Sequence, residues 1–209
     1  MSRIRFVVLA VCAAFLLVAA AAAQEKNELG IIVGRTFIAD KGVPNTNFFD
    51  NTIHSGKGLT FVVEYGRHLL GQNFWQLTGE VPFAINWDED LNYGQNVIPE
   101  SYRSFFITPS VRLNAFANDD VSPWVSVGGG FGYFKASSKL VFGGPNPGDT
   151  GAATGVFQIG GGLDVKITRT ITIRGEFRDF DSGEPPLNIN TGRSRQHNLY
   201  GGGGVVFRF

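Results

Sequence analysis

Apolar and polar residues alternate with a period of two along most of the chain after residue 24, without sustained helical periodicity. This alternation is typical of β-strands whose two faces meet different surroundings. Eight segments show it, and we predict a strand in each. The predicted strands lie near residues 28–38, 57–69, 73–88, 101–116, 123–136, 153–167, 170–182 and 195–209.

The connections between these strands alternate between long and short. The long ones cover residues 39–56, 89–100, 137–152 and 183–194, and the short turns are centred on Gly71-Gln72, Asn118 to Asp120 and Thr168-Arg169. Barrels of the bacterial outer membrane have this asymmetry, with short turns on the periplasmic side and longer loops outside. The pattern predicts an all-β fold, an eight-stranded antiparallel transmembrane β-barrel with up-and-down connections and both ends of the chain on the short-turn side.

In the second to eighth predicted strands, one face carries a run of uncharged, mostly apolar residues, which are every second residue of 59–65, 75–87, 105–113, 125–133, 157–165, 171–177 and 199–209. The first strand is ambiguous, because Arg35 shares a face with Ile31 and Val33. In a soluble barrel or sandwich the uncharged face would pack in the core, whereas in a membrane barrel it would meet lipid. The opposite face of the strands carries Glu64, Glu80, Arg112, Asp164, Lys166, Arg174, Glu176, Arg178 and Arg208.

Two features of the strands favour the membrane. Trp75 and Trp87 lie twelve residues apart on the apolar face, which projects to about 28 Å for a tilted strand and matches the height of a lipid-facing band. We predict an aromatic girdle of Trp75, Trp87 and Tyr133. The predicted strands are also longer than the usual five or six residues.

The last residues, Val205-Val206-Phe207-Arg208-Phe209, form an alternating strand with a terminal aromatic residue. This ending is similar to the signal that the outer-membrane assembly machinery recognises, and it assigns that role to Phe207 and Phe209. Together with the segments 124–133 and 173–178, it resembles the OmpA-type and related small outer-membrane β-barrel proteins. The resemblance covers residues 24–209 and leaves no region for the periplasmic peptidoglycan-binding domain that some members carry.

The resemblance implies a location in the cell outer membrane, with membrane lipid and lipopolysaccharide as surroundings and the barrel assembly machinery as a partner during insertion. Arg3 and Arg5 form a short basic start, residues 4–23 are otherwise apolar, and Ala21-Ala22-Ala23 offers a cleavage site, so we predict a signal peptide over residues 1–23 and a barrel over 24–209. Removal of the signal peptide also removes Cys12, the only cysteine.

The whole chain has 18 basic and 18 acidic residues, and the mature chain, which lacks Arg3 and Arg5, has a net charge of −2. We therefore expect no nucleic-acid partner, and we expect a monomer.

Arg174, Glu176 and Arg178 alternate on the inward face of one strand. The inward glycines of the neighbouring strands, at 160, 162, 202 and 204, leave room for long side chains. Because an eight-stranded barrel is only wide enough for side chains to fill, we predict an ion-pair network in the lumen. Its other predicted members are Glu64, Glu80, Arg112 and Asp164. The alternative is a gated path for ions.

The mature chain has three histidines, His54, His68 and His197, and no pattern that joins them to a nucleophile and an orienting acid. We expect no catalytic residue, no cofactor and no metal site. The acidic run Asp88-Glu89-Asp90 lacks the remaining spacing of a calcium loop and is expected to be a solvated loop. The function that we infer is a structural or surface-presenting membrane barrel, with a small pore or carrier and a lipid A-modifying enzyme as alternatives.

Two prolines conflict with this picture, because proline cannot donate a hydrogen bond to a strand ladder. Pro82 and Pro109 both fall within predicted strands. We expect β-bulges at these positions, or strand boundaries that differ from the predicted ones.

Overall fold

The computed structural model describes residues 26–44, 51–72 and 74–209, so the predicted signal peptide lies outside the described residues and stays a prediction. This part of the chain has eleven β-strands, and it contains no helix that is long and apolar enough to cross a membrane. The strands are β1 (Asn27–Phe37), β2 (Lys41–Gly42), β3 (Thr52–Ser55), β4 (Leu59–Gln72), β5 (Trp75–Asn92), β6 (Ser101–Ile107), β7 (Ser110–Ala115), β8 (Val121–Ala136), β9 (Gly151–Lys166), β10 (Ile171–Gly183) and β11 (Arg195–Arg208).

The long strands form a closed ring in which every pairing is antiparallel. β6 and β7 together occupy one position of the ring between β5 and β8, and β11 returns to pair with β1. The short strands β2 and β3 belong to the first long loop, where β3 pairs with β5. The predicted eight-stranded, up-and-down antiparallel barrel is therefore confirmed.

The strands are staggered by ten residues around the ring. A path that moves from Asn27 to the directly opposite residue on each successive strand returns to β1 at Phe37. This offset is the shear of the barrel, which tilts its strands by roughly 35–45°. The path passes through Arg67, Gly79, Val111, Val127, Ile159, Asp179 and Leu199.

The two ends of the barrel differ as the sequence predicts. The connections after β4, β7 and β9 are short, and Asn27 and Phe209 exchange backbone hydrogen bonds of 2.9 Å at this end, which we call the turn end. The other end, the loop end, carries the four longer connections. Along most strands apolar residues are exposed on the outer wall, and residues facing the lumen are buried.

The prolines do not produce the expected bulges. Pro82 lies within β5, and the register of β5 with the next ring position is the same on both sides of it. Pro109 falls in the gap between β6 and β7, so the boundary expected as the alternative is present there. Each proline accepts one ladder hydrogen bond of 3.2 Å, from Thr108 and Gly129 respectively, and offers no donor in return.

The structure settles the ambiguous first strand. Arg35 is exposed on the outer wall with Ile31 and Val33, and Glu28 is buried in the lumen with Ile32. This assignment places an additional carboxylate in the barrel interior.

Candidate functional site: the charge cluster of the lumen

The seven charged residues predicted for the lumen all face it, and each has less than a tenth of its surface exposed. Glu28 joins them, although the sequence did not assign it. We call the eight residues the charge cluster. They are Glu28, Glu64, Glu80, Arg112, Asp164, Arg174, Glu176 and Arg178.

Arg174 is bound by three carboxylates. Its Nε and Nη2 donate to the two oxygens of Asp164, both at 2.7 Å, and its Nη1 donates to Glu64 Oε1. Nη2 also lies 3.3 Å from Glu28 Oε1. The two-pronged contact with Asp164 fixes the guanidinium plane, because two parallel hydrogen bonds add geometric specificity to the charge attraction.

Arg178 lies two inward positions further along β10, beyond Glu176, and is also shared among three acids. Nε and Nη2 donate to Glu176 Oε2 at 3.1 and 3.0 Å. Nη1 reaches Glu80 Oε1 and Nη2 reaches Glu64 Oε2, each at 2.8 Å. Glu64 therefore links the two arginines of β10 from across the lumen.

Arg112 completes the cluster from β7. It donates to Glu28 Oε1, to Glu80 Oε2 at 3.1 Å and to the side-chain oxygen of Asn114 at 2.9 Å. Because a buried charge is tolerated only when it is paired and hydrogen-bonded, these contacts explain how three arginines remain inside a narrow barrel.

Trp124 lies among the arginines. The guanidinium carbons of Arg112, Arg174 and Arg178 lie 5.6, 5.4 and 5.1 Å from its ring centroid, within the range of cation–π attraction. Its Nε1 donates to Asp164 Oδ1 at 3.1 Å. No local sequence pattern indicated a role for this inward tryptophan.

Inward glycines make room for the side chains of this cluster, but only two of the four predicted glycines, Gly160 and Gly162, do so. A Cβ on Gly160 would lie 2.9 Å from Arg178 Cγ, and one on Gly162 would lie 2.6 Å from the Trp124 ring. Gly30 leaves the space for Glu64 in the same way. Gly202 instead leaves space for Tyr200, and a Cβ on Gly204 would meet the backbone of β1, so the expectation that these two accommodate arginines is wrong.

At the turn end two further basic groups approach the cluster. Arg208 lies 3.5 Å from Asp164 Oδ2, and His68 Nε2 lies 3.3 Å from Glu28 Oε2. Both side chains are slightly exposed, at 11% and 12%. They extend the charge network from the buried centre to the mouth of the barrel.

Towards the loop end the lumen contains a layer of packed aromatic rings, which the sequence pattern did not predict. Phe106 stacks on Phe180 at 5.3 Å and meets the edge of Phe134 at 5.8 Å between ring centroids. Ile32 and Val62 are fully buried in the same hydrophobic cluster. The lumen is therefore filled by a charged layer and, above it, an aromatic layer.

The long loops pack over this aromatic layer. Lys41 Nζ is buried in the first loop, where it binds Glu184 Oε1 at 2.9 Å and Gln196 Oε1 at 2.5 Å. Burial lowers the pKa of Lys41, and Glu184 opposes that shift. Ile53, Ile98 and Leu187 contribute apolar side chains to the loop packing.

The acidic run after Trp87 does not form a solvated loop. Glu89 belongs to β5, is fully buried, and accepts hydrogen bonds from the backbone of Gly58 at 3.1 Å and from Asn86 at 3.0 Å. Within the described ranges, no group of three or more His, Cys, Asp and Glu residues is arranged to hold a metal ion.

The residues assigned to the girdle and to the assembly signal lie along the outer wall and at its closure. Trp75 begins β5 at the turn end, while Trp87 and Tyr133 are exposed towards the loop end. Phe207 is exposed on the outer wall, opposite Leu29 and Ile171. Phe209 closes the ring through its backbone contact with Asn27. Their roles as girdle and signal stay predictions.

Each histidine contacts a carboxylate. His197 lies on the outer wall in β11, with its Nδ1 2.7 Å from Asp179 Oδ2. His54 Nδ1 lies 2.7 Å from Asp40 Oδ2. The hydrogen bond with His54 and a second one from the backbone of Ser55 hold the pKa of Asp40 below its usual value.

A closed antiparallel barrel with an apolar outer wall and a charged, filled lumen defines an integral membrane protein of the β-barrel class. The sequence model of the outer membrane protein beta-barrel domain family matches residues 8–209, so the chain belongs to that family. The protein is accordingly located in the cell outer membrane. No match was found among curated protein sequences.

Solved structures support the same fold. Neisserial surface protein A is 10% identical, with a TM-score of 0.56, and the match covers 88% of this chain and 97% of that one. The outer membrane protein OprG of Pseudomonas aeruginosa is 7% identical, with a TM-score of 0.52 and coverages of 88% and 96%. The N-terminal β-barrel domain of OprF from the same organism is 11% identical, with a TM-score of 0.50 and coverages of 89% and 98%.

Proposed function

We propose that this protein is a non-conducting outer-membrane barrel that stabilises the envelope and presents ordered loops at the cell surface. The charge cluster is the observation that carries the proposal. Glu64 alone bridges Arg174 and Arg178, and Glu80 bridges Arg112 and Arg178, so the contacts span the lumen in several directions. An ion that passed through would have to break buried pairs, which is costly because each break leaves an unpaired charge.

The aromatic layer adds a second obstacle along the same axis. Phe106, Phe134 and Phe180 pack ring against ring above the charges, and the contact of Lys41 with Glu184 ties two loops over them. These features favour a structural or surface-presenting barrel over the alternative of a small pore or carrier.

Single-channel recording of the refolded protein in planar bilayers tests this proposal. The parent should show little conductance, and the triple variant Arg174→Ala, Glu176→Gln, Arg178→Ala should open a small one. The balanced pair Glu80→Gln with Arg178→Gln removes one acid and one base, and it serves if the triple variant does not fold. A parent that conducts steadily, with no change in either variant, would favour the pore.

A lipid-modifying enzyme is the second candidate, because the pair of His197 and Asp179 lies on the outer wall. Such a pair can act as a general base only when the imidazole also reaches a nucleophile. In the described part of the chain no serine or threonine hydroxyl hydrogen-bonds the His197 ring. Loss of acyl chains from purified lipid A in the presence of the protein, abolished by His197→Gln, would support this candidate.

A further inference from the structure

We propose that Arg103 and Lys135, on the outer wall near the loop end, bind the phosphate group of an anionic lipid in the outer leaflet. The proposal concerns the lipid-facing surface and does not depend on whether the lumen conducts.

Arg103 and Lys135 lie directly opposite each other on β6 and β8, and both are exposed. Their chain neighbours Ser104 and Phe134 are buried in the lumen, so the two cations point to the outer wall. Like charges directly opposite each other in an antiparallel pair are destabilising. Among the described residues neither cation has a carboxylate oxygen within 4.0 Å. An anion from outside the chain would remove this repulsion.

Two other basic residues on the outer wall at this end have acidic partners, whereas Arg35 donates to the carbonyl oxygen of Lys57 at 3.1 Å. Arg195 Nε lies 2.9 Å from Asp181, and His197 lies 2.7 Å from Asp179. What distinguishes Arg103 and Lys135 is that two cations lie directly opposite each other without an acidic partner, and not basic charge alone.

An aromatic residue holds one of the two cations in place. The guanidinium carbon of Arg103 lies 4.8 Å from the Trp87 ring centroid, in a cation–π contact. Tyr133 lies two residues before Lys135 on the same face of β8, so a second ring flanks the pair. Tryptophan and tyrosine are enriched where hydrocarbon gives way to headgroups.

The height of the pair along the barrel matches lipid phosphates. Trp87 lies twelve residues beyond Trp75 on β5, which is about 28 Å along the membrane normal for a tilted strand. This distance is close to the thickness of the hydrocarbon core. Arg103 therefore lies at the headgroup level, where a lipid phosphate meets it from the side.

The chemistry of the pair suits a phosphate group. The planar fork of arginine forms two parallel hydrogen bonds with phosphate oxygens, and lysine adds a compact charge. A phosphate between the two side chains would satisfy both cations at once. Because both side chains face the lipid and not the lumen, the phosphate belongs to a membrane lipid.

The test uses spin-labelled phosphatidic acid and phosphatidylcholine added to the full-length protein, refolded in phosphatidylcholine vesicles. Electron spin resonance gives the preference of the barrel for the anionic lipid. The double variant Arg103→Gln, Lys135→Gln should lower this preference by roughly five-fold per removed cation at low salt. Arg67→Gln is the matched control, because Arg67 is an exposed outer-wall cation at the turn end, and it should leave outer-leaflet binding unchanged.

Three outcomes would overturn the proposal. A double variant that folds and keeps the parent's lipid preference would exclude these residues as the site. An equal loss in Arg67→Gln would indicate a general effect of net charge. Displacement of the labelled lipid by millimolar inorganic phosphate would indicate a site for free anions, since lipid docking predicts that free phosphate does not compete.

Discussion

Trp124 donates a hydrogen bond of 3.1 Å from its indole nitrogen to Asp164 in the centre of the lumen. Both residues are almost fully buried. Asp164 is also the two-pronged partner of Arg174, whose guanidinium lies 5.4 Å from the Trp124 ring centroid. The tryptophan thus contacts the cation through its ring and the carboxylate through its N–H.

Replacing Trp124 with phenylalanine separates these two contacts. Trp124→Phe keeps an aromatic ring beside the arginines but removes the donor to the buried Asp164 carboxylate. We expect a loss of about 1–3 kcal/mol in the free energy of unfolding, because a buried acceptor loses a partner. Urea unfolding in lipid vesicles measures it. Trp87→Phe, on the outer wall, is the control, and equal losses at the two positions would contradict the role of the hydrogen bond.

The acid that we expect to contribute most to the stability of the barrel is not the one that the sequence suggests. Glu176 lies between Arg174 and Arg178 on the inward face of β10, so sequence alone suggests it as the acid nearest to both arginines. In the structure the ion pairs of Glu176 are confined to Arg178, and Arg178 keeps Glu64 and Glu80 without it. Glu64 contacts Arg174 and Arg178 and lies 3.8 Å from Arg112.

We therefore expect Glu64→Gln to destabilise the barrel more than Glu176→Gln. Removing Glu64 leaves several buried guanidiniums with fewer acids, and breaking such a network costs about 3–5 kcal/mol. Glu176→Gln should cost clearly less. Urea unfolding of both variants in vesicles tests the order, and a reversed order would show that pairing along β10 dominates over pairing across the lumen.

Local alternation predicts which residues face the lumen, but it does not predict which of them meet across the lumen. Alternation in β8 to β11 placed Asp164, Arg174 and Arg178 in the lumen, because each strand defines its own two faces. Partners across the barrel depend on the shear, which no local pattern specifies. Glu64 on β4 meets Arg174 on β10 only because of the ten-residue stagger of the ring.

Two features were missed where both faces of a strand carry the same kind of residue. The adjacent aromatics Phe105-Phe106 and Tyr133-Phe134 put one ring outside and one inside, and these pairs were the available signal for an aromatic layer. In β1, Arg35 on the outer wall and Ile32 in the lumen obscured the alternation. Glu28 was left out of the predicted cluster for that reason.

Lipid exposure of the outer wall predicts a depth-dependent penalty for charge. Leu163 is exposed in β9, three residues before the strand ends, and is directly opposite Gly175. Leu163→Arg should cost about 2–4 kcal/mol if it lies near the middle of the bilayer. Val121, at the first position of β8 on the same wall, should tolerate Val121→Arg with a cost of roughly 0–1 kcal/mol.

An inward residue of the same strand is not a suitable control for this test. Gln158 is fully buried, donates to Ser126 at 3.0 Å, and lies beside the side chain of Arg178 across Gly160. A lysine there would enter a packed lumen next to another cation. Equal penalties at Leu163 and Val121, measured by urea unfolding in vesicles, would contradict the assignment of the outer wall.

The loop contact between His54 and Asp40 predicts a pH dependence at the loop end. Since the folded protein lowers the pKa of Asp40 below its usual value of 3.8, the contact stabilises the loop above that pH. Its contribution disappears as the pH falls through the lowered pKa. His54→Ala should return the pKa of Asp40 towards 3.8, as measured from the carboxyl carbon shift by NMR, while Asp40→Asn should abolish the titration. An unchanged pKa in His54→Ala would contradict the contact.

Phe209 combines a backbone role with a side-chain role in barrel assembly, and two variants separate them. Its backbone exchanges two hydrogen bonds of 2.9 Å with Asn27, which close the last strand on the first. Deletion of Phe209 removes this closure and the aromatic ring together, whereas Phe209→Ser keeps the backbone and removes the ring. If the ring is the assembly signal, both variants should be secreted but inserted poorly, and they should accumulate in the periplasm. Fractionation and heat-modifiable gel mobility measure the inserted fraction. If only the deletion fails, closure with Asn27 is the essential contact, and normal insertion of both variants would contradict either role for this residue.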